Sequence, residues 1–415
     1  MILSEELNSY GKKFQKELYS ILAYWMKYSI EKEGDGFYPA VDIDNNPVPT
    51  ANKSCVLNSR ILWTFSAAAK KFPAMGYEEI AHRALNVIEK YFEDKQHGGF
   101  YMELSSSNKV VSSIKHTYAQ AFILYSLCKY YEFQPSKELL DKIRNTYYFL
   151  DKKTKDPNNP GYIEAFTREW KVMEENRMSD ENEPKSLNTH LHILEGYTAV
   201  LRVLKDDLVL KRLKELMQVF IKDIIRKNGH LGVFFMSDFK ETEASKAICL
   251  YGHDIKASWL LWEAAEVIGD EALKTTIKPL LLKMADSVLR YGVDKDGGLF
   301  LESTRYGSHV RTNKHWWLQA ENLVGFMNAF TLTGDDKYWE VVKQTWNFVD
   351  KHIIDHEKGE WFTKVNRAGK PYTIEPPDDP SPYYRNDWKI DPWKAPYHNS
   401  RAMMELIDRI HQIIN

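Results

Sequence analysis

Cysteine is nearly absent from this chain. Three occur in 415 residues, Cys55, Cys128 and Cys249, and their spacing forms no pair, which argues against a disulfide framework or a cysteine zinc site. Long apolar runs are missing too. No stretch reaches the roughly 18 uninterrupted apolar residues of a transmembrane helix, so no membrane span is expected. The opening MILSEELNSYGKKF carries acids early and has no apolar centre, unlike a signal peptide, and a cytoplasmic protein is the expectation. Charge of one sign is also lacking: the net charge of −2 offers no footprint for nucleic acid or an anionic membrane. No serine or cysteine nucleophile signature, phosphate loop or nucleotide fingerprint stands out.

Aromatic residues are plentiful. They make up 13% of the chain, with 12 Trp and 24 Tyr, more than a plain helical protein needs. They can fill a core, and they can also wall a pocket for sugar rings. Hydrophobic content of 43% supports a large core. The chain is longer than one ordinary domain, but α/α and α/β barrels of this size are often single domains, and one domain over 1–415 is expected.

A repeat is hidden in the turns. DGFYPAV begins at Asp35, GGFYMEL at Gly98, PGYIEAF at Pro160, GHLGVFF at Gly229, GGLFLES at Gly297 and GEWFTKV at Gly359, a spacing of 62–69 residues. Such a period signals a repeat architecture. Between the turns, apolar residues recur at helical spacing. They predict helices over 5–28, 57–72, 77–94, 113–133, 136–152, 189–205, 207–227, 254–268, 271–291, 315–333, 336–353 and 397–413. Twelve helices in six pairs suggest an all-α (α/α)6 barrel, with short hairpins gathered at one end around a pocket. An open α-solenoid would show more uniform repeats and polar caps. Two long connections break the rhythm: 154–187, and 370–396, which holds seven of the 16 prolines. Tyr383, Tyr384, Trp388 and Trp393 make the second read as an ordered aromatic rim.

Polar or aromatic residues open alternate helices: Arg60, Tyr118, His192, His253, Trp316 and His398. Each alone is as well explained as a cap, a surface charge or an ion pair. Their recurrence is the signal, because in a barrel these ends converge on one cavity. The stretches around them add His116, Asn188, His190, Glu195, Trp317, Glu321, Trp393, Asn399 and Arg401. His190 and His192 diverge on a helix, so a shared metal is not expected. His192 and Glu195 share a face, where the carboxylate would orient the imidazole and raise its basicity. Histidine suits reversible proton transfer near neutral pH, and tryptophan faces suit sugars. Proton abstraction beside a sugar carbonyl is the natural reaction class.

The stretches NSRILW, KHTYAQAF, NTHLHILE, GHDI with SWLL, WWLQAE and PYHN resemble, in order and along nearly the whole chain, the N-acylglucosamine 2-epimerase superfamily, and within it the cellobiose 2-epimerase branch. The resemblance implies an (α/α)6 barrel that epimerises a reducing-end aldose at C2. The ring opens, one histidine removes the C2 proton to give a cis-enediolate, rotation about C2–C3 presents the other face, and a second histidine returns a proton. It implies His253 and His398 as the acid/base pair, with His192 assisting ring opening. Arg60 would neutralise the enediolate oxygens, Tyr118 and Asn188 would bond hydroxyls, and Trp316 and Trp393 would stack on rings. Glu302 and Lys256 complete the expected substrate-binding set. No metal or organic cofactor is implied; the partner is a small sugar, and the chain is expected as a monomer or weak homodimer.

One residue departs from that pattern. The family reads Gly-His-Asp-Ile-Glu, whereas this chain reads GHDIK, with Lys256 three residues after His253. An ammonium there should lower the His253 pKa. Either Lys256 turns away and Asp254 or Glu302 supports His253, or Lys256 binds a substrate oxygen, or catalysis is lost and the chain only binds sugar. The loop before the last helix also looks long for the branch, and a narrowed mouth would favour a monosaccharide. The rivals are an aldose–ketose isomerase, which returns the proton to C1, and a glycoside hydrolase, which needs two facing carboxylates from among Asp254, Glu302 and Glu321.

Overall fold

The structure, a computed structural model, describes residues 2–175, 182–374 and 385–415. Thirteen α-helices occur among them: α1 (Ile2–Tyr28), α2 (Cys55–Lys71), α3 (Tyr77–Val87), α4 (Thr117–Phe133), α5 (Lys137–Thr154), α6 (Leu187–Leu204), α7 (Asp207–Val219), the single-turn α8 (Glu243–Lys246), α9 (Tyr251–Ile268), α10 (Glu271–Tyr291), α11 (Trp316–Thr333), α12 (Asp336–Phe348) and α13 (Tyr397–Ile414).

The twelve long helices form two concentric layers. In the inner layer α2 packs on α4, α4 on α6, α6 on α9, α9 on α11, α11 on α13, and α13 returns to α2. In the outer layer α3, α5, α7, α10 and α12 each cover the inner helix before them, while α1 covers α13. The chain's first helix thus pairs with its last and closes the ring. Sequence explains the layering. In α11 every residue from Leu318 to Phe330 is buried, as an inner helix requires, and a helix apolar all round must be enclosed. In α7 burial follows one stripe, Val209, Leu213, Leu216 and Met217, the mark of a helix with one wet face. The (α/α)6 barrel expected from the repeat is the observed fold.

The six glycine-aromatic turns are the repeat unit. Each closes with an antiparallel bridge: Ile30–Phe37, Glu93–Phe100, Lys155–Tyr162, Ile225–Leu231, Val293–Leu299 and Ile354–Trp361. Gly297 shows why glycine sits there. Its φ is 88°, and an added Cβ would lie 2.5 Å from the Gln344 backbone. Inner-helix side chains then grip the turns. Gln120 bonds both N and O of Phe100, at 2.9 and 2.8 Å, and Gln319 does the same for Leu299, at 2.7 and 2.9 Å.

Buried lysines fasten the strand entering each inner helix to the preceding turn. The pairs are Lys53–Glu31 at 2.6 Å, Lys115–Asp94 at 2.9 Å, Lys185–Asp156 at 2.8 Å, Lys314–Asp294 at 3.1 Å and Lys389–Asp355 at 2.7 Å. The fourth repeat differs: Arg226 takes the acid's place and pairs with Glu241, while donating to the Ile248 carbonyl at 2.8 Å. These clamps fix where the inner helices begin, and so where the pocket residues sit.

Several boundaries differ from expectation. The helix predicted from 113 begins at Thr117, because Lys115–His116 is a strand paired with Ala165–Phe166. Outer helices predicted to continue to 94, 227 and 353 instead widen into π turns at Ile88–Phe92, Phe220–Ile224 and Val349–Ile353. The wider winding buries both apolar ends of each turn, such as Ile88 and Phe92. Of the long connections, residues 176–181 and 375–384, with Tyr383 and Tyr384, lie outside the described residues. Trp388–Ile390 forms a strand against Val41–Asp42 and joins the last repeat to the first. No helix among the described residues is long and apolar enough to cross a membrane.

Candidate active site

The starts of the inner helices converge on a cavity of about 340 Å³, within the range of small-molecule sites. All ten residues singled out from sequence line it: Arg60, Tyr118, Asn188, His192, His253, Lys256, Glu302, Trp316, Trp393 and His398. Six helices contribute, each through its first two turns. Trp317, Leu250, Leu301, Val233 and Phe234 add apolar wall. Other residues noted beside them do structural work. His190 accepts the Tyr162 N–H at 3.1 Å, and Asn399 donates to Glu360 at 2.8 Å.

Beneath the cavity lies a buried charged network. His398 Nδ1 is 2.6 Å from Glu321 Oε1. Arg401 donates to Glu321 at 2.6 Å and to Glu195 at 2.5 Å, and so ties the two carboxylates together. Tyr397 donates to Glu195 at 2.6 Å, and the Trp259 indole donates to Glu321 at 3.1 Å. His192 Nδ1 lies 2.7 Å from Glu195 Oε2. The bond from His398 Nδ1 to Glu321 fixes its Nδ1–H tautomer and leaves Nε2 as the lone-pair nitrogen. Beside this network, Arg60 donates to the Tyr118 hydroxyl at 2.6 Å and to the Trp393 carbonyl. The Tyr118 ring stands edge-on to His192, 4.2 Å between centroids.

Lys256 does not turn away. Its ammonium is 3.2 Å from Glu195 Oε2 and 3.4 Å from His192 Nε2, on the pocket floor. Asp254 and Glu302 do not support His253. Asp254 accepts from His230 at 2.7 Å and from the Leu231 N–H at 2.9 Å, which ties the fourth turn to α9. Glu302 is paired with Arg311 at 3.0 Å. His253 instead packs on Trp317, 5.0 Å between centroids, and the same indole lies 5.7 Å from His398. One indole thus touches both imidazoles. The spacing pattern gave no role to Trp317, although its place beside Trp316 at a helix start was the available signal.

Burial dominates the electrostatics. It pushes His253 down to about 3, with Lys256 adding to the effect. His192 is held at about 3 by burial and then by Lys256, against the pull of Glu195. The basicity expected from Glu195 is therefore outweighed. His398 is also lowered to about 3 by burial, with Glu321 opposing. Burial would raise Glu321, but Arg401 and His398 outweigh it and hold the carboxyl at about 2. At neutral pH all three imidazoles are unprotonated and both carboxylates charged. Among the described residues no cluster of three or more His, Cys, Asp or Glu is arranged to hold a metal ion.

A pH effect on stability follows. His190, at about 4, and His192 and His398, at about 3, stay neutral in the fold, while the unfolded chain binds their protons near pH 6.5. Their stabilising contribution is whole above pH 6.5 and lost as pH falls toward 4. Each is expected to cost on the order of 1–2 kcal/mol between pH 7 and 5. Chemical unfolding at the two values checks this; equal stability would contradict burial of neutral imidazoles.

A closed double ring of helices with unprotonated imidazoles, a guanidinium and indoles at one mouth is an (α/α)6 barrel built for acid–base chemistry. The profile of the N-acylglucosamine 2-epimerase (GlcNAc 2-epimerase) family matches residues 36–385, and the chain belongs to that family and is a carbohydrate epimerase. It is 36% identical over 400 residues to the cellobiose 2-epimerase of Bacteroides fragilis, covering 95% of this chain and 98% of that one. The solved cellobiose 2-epimerase of Bacillus thermoamylovorans superposes with a TM-score of 0.88 at 32% identity, over 97% of this chain and all of that one. The D-mannose isomerase of Marinomonas mediterranea is 20% identical over 93% of this chain and 94% of its own.

Proposed function

We propose that the chain interconverts the gluco and manno configurations at C2 of a reducing-end aldose, with cellobiose as the first candidate. The His398–Glu321 dyad carries this reading, since it shares the Trp317 indole with His253. The lone pair on His398 Nε2 takes the C2 proton, and Glu321 stabilises the imidazolium that forms. Arg60, held by Tyr118, faces the oxygens that become negative in the enediolate. After rotation about C2–C3, His253, having taken a proton from solvent, delivers it to C2 on the other face, and His398 releases the abstracted proton to solvent, which restores the neutral pair. His192, with Glu195 at Nδ1, assists opening of the ring. Trp316 and Trp393 stack on sugar rings, and Asn188 and Tyr118 bond hydroxyls. We place the protein in the cytoplasm, as a monomer or weak homodimer; its three unpaired cysteines suit a reducing compartment.

The carboxylates speak against glycoside hydrolysis. Asp254, Glu302 and Glu321 are each committed to a partner, His230, Arg311 and the His398–Arg401 pair. Product analysis tests the rest. With cellobiose, mannobiose, lactose, glucose and mannose in parallel, the C2 epimer is expected from at least one disaccharide. A ketose as the main product would establish the isomerase instead.

A further inference from the structure

The charge at the pocket floor is unbalanced. Among the described residues there, three cations, Arg60, Lys256 and Arg401, face two carboxylates, Glu195 and Glu321; Arg401 bridges both and Lys256 shares Glu195, so one positive charge is left over. Lys256 is 2% exposed, yet it lines the cavity. Two of its three N–H groups are directed to Glu195 and His192. The third has no partner among the described residues. Arg60 Nε is likewise buried without a partner among them. A neutral sugar leaves this surplus uncompensated, whereas an anionic group at C1–C2 would meet it.

Resting on the epimerase reading, we propose that Lys256 and Arg60 make the pocket floor an anion site, so that the chain binds an aldonate, the C1-carboxylate counterpart of its sugar, more tightly than the neutral alditol. The two ligands share a carbon skeleton and differ at C1 alone. The carboxylate spreads one negative charge over two oxygens on C1, one of them at the place of the enediolate O1, and charge-assisted hydrogen bonds are stronger than neutral ones. The site is thereby open to inhibition by the oxidised form of its own substrate.

Calorimetric titration of the full chain with cellobionate against cellobiitol, and with gluconate against glucitol, tests this. The aldonate of at least one pair is expected to bind about tenfold or more tighter, as one added charge-assisted bond would give. In Lys256→Gln the aldonate-to-alditol ratio should fall to about twofold. The wild-type ratio stands even if the variant fails to fold. Equal binding of aldonate and alditol would overturn the anion site while leaving the sugar pocket intact. A ratio unchanged in a folded Lys256→Gln would remove Lys256 from it. No binding of any of the four ligands would overturn the sugar reading itself.

Discussion

His398→Asn is expected to lower C2 epimerisation by about two to four orders of magnitude, with KM little changed. Asparagine can still meet Glu321, which accepts from His398 Nδ1 at 2.6 Å, so the pocket wall should hold. What it lacks is a nitrogen that takes up the C2 proton. The split between kcat and KM distinguishes this from a packing defect, since loss of a wall would weaken binding first. Steady-state rates on the preferred sugar, with unfolding midpoints as control, check it. A folded variant retaining a tenth or more of wild-type kcat would remove His398 from the chemistry.

Arg401→Met should cost about 3–5 kcal/mol of folding stability. The guanidinium is buried and spans Glu195 at 2.5 Å and Glu321 at 2.6 Å. Methionine fills much of the volume but leaves Glu321 without its paired cation and Glu195 with Lys256 alone. Lys256→Met should cost less than half as much, because Glu195 keeps Arg401, Tyr397 and His192. Denaturant unfolding at pH 7 ranks the two. Equal losses, or a stable Arg401→Met, would contradict the network as drawn.

Much of this was legible in the sequence because it is periodic. The six glycine turns recur at 62–69 residues, and each precedes an inner helix whose first turns face the cavity. Recurrence therefore located Arg60, Tyr118, His192, His253, Trp316 and His398 without any contact being known. The buried Lys-carboxylate clamps were written just as plainly, as Lys53-Ser54, Lys115-His116, Lys185-Ser186 and Lys314-His315 before four of the helices. A lysine reads as a solvent-facing residue until its acid is seen, and the acids lie 20 to 29 residues upstream.

Lys256 was illegible for a related reason. Along the chain its neighbour is His253, so the charge reversal reads as damage to that imidazole. In space its partner is Glu195, 61 residues away on the adjoining inner helix. The lysine shares that carboxylate with Arg401 and lies 3.4 Å from His192 Nε2, while still depressing His253. Asp254 misled in the other direction: next to His253 in sequence, it belongs to the turn behind the helix.

The central claim is that neutral histidines exchange the C2 proton of a reducing sugar. The most direct measurement is proton NMR of cellobiose incubated with the chain in D2O, following the C2 signal and the appearance of the manno epimer. The account predicts solvent deuterium at C2 in step with epimer formation, with both slowed together in His398→Asn. Epimer formed without deuterium at C2, or deuterium appearing at C1 with a ketose, would contradict it.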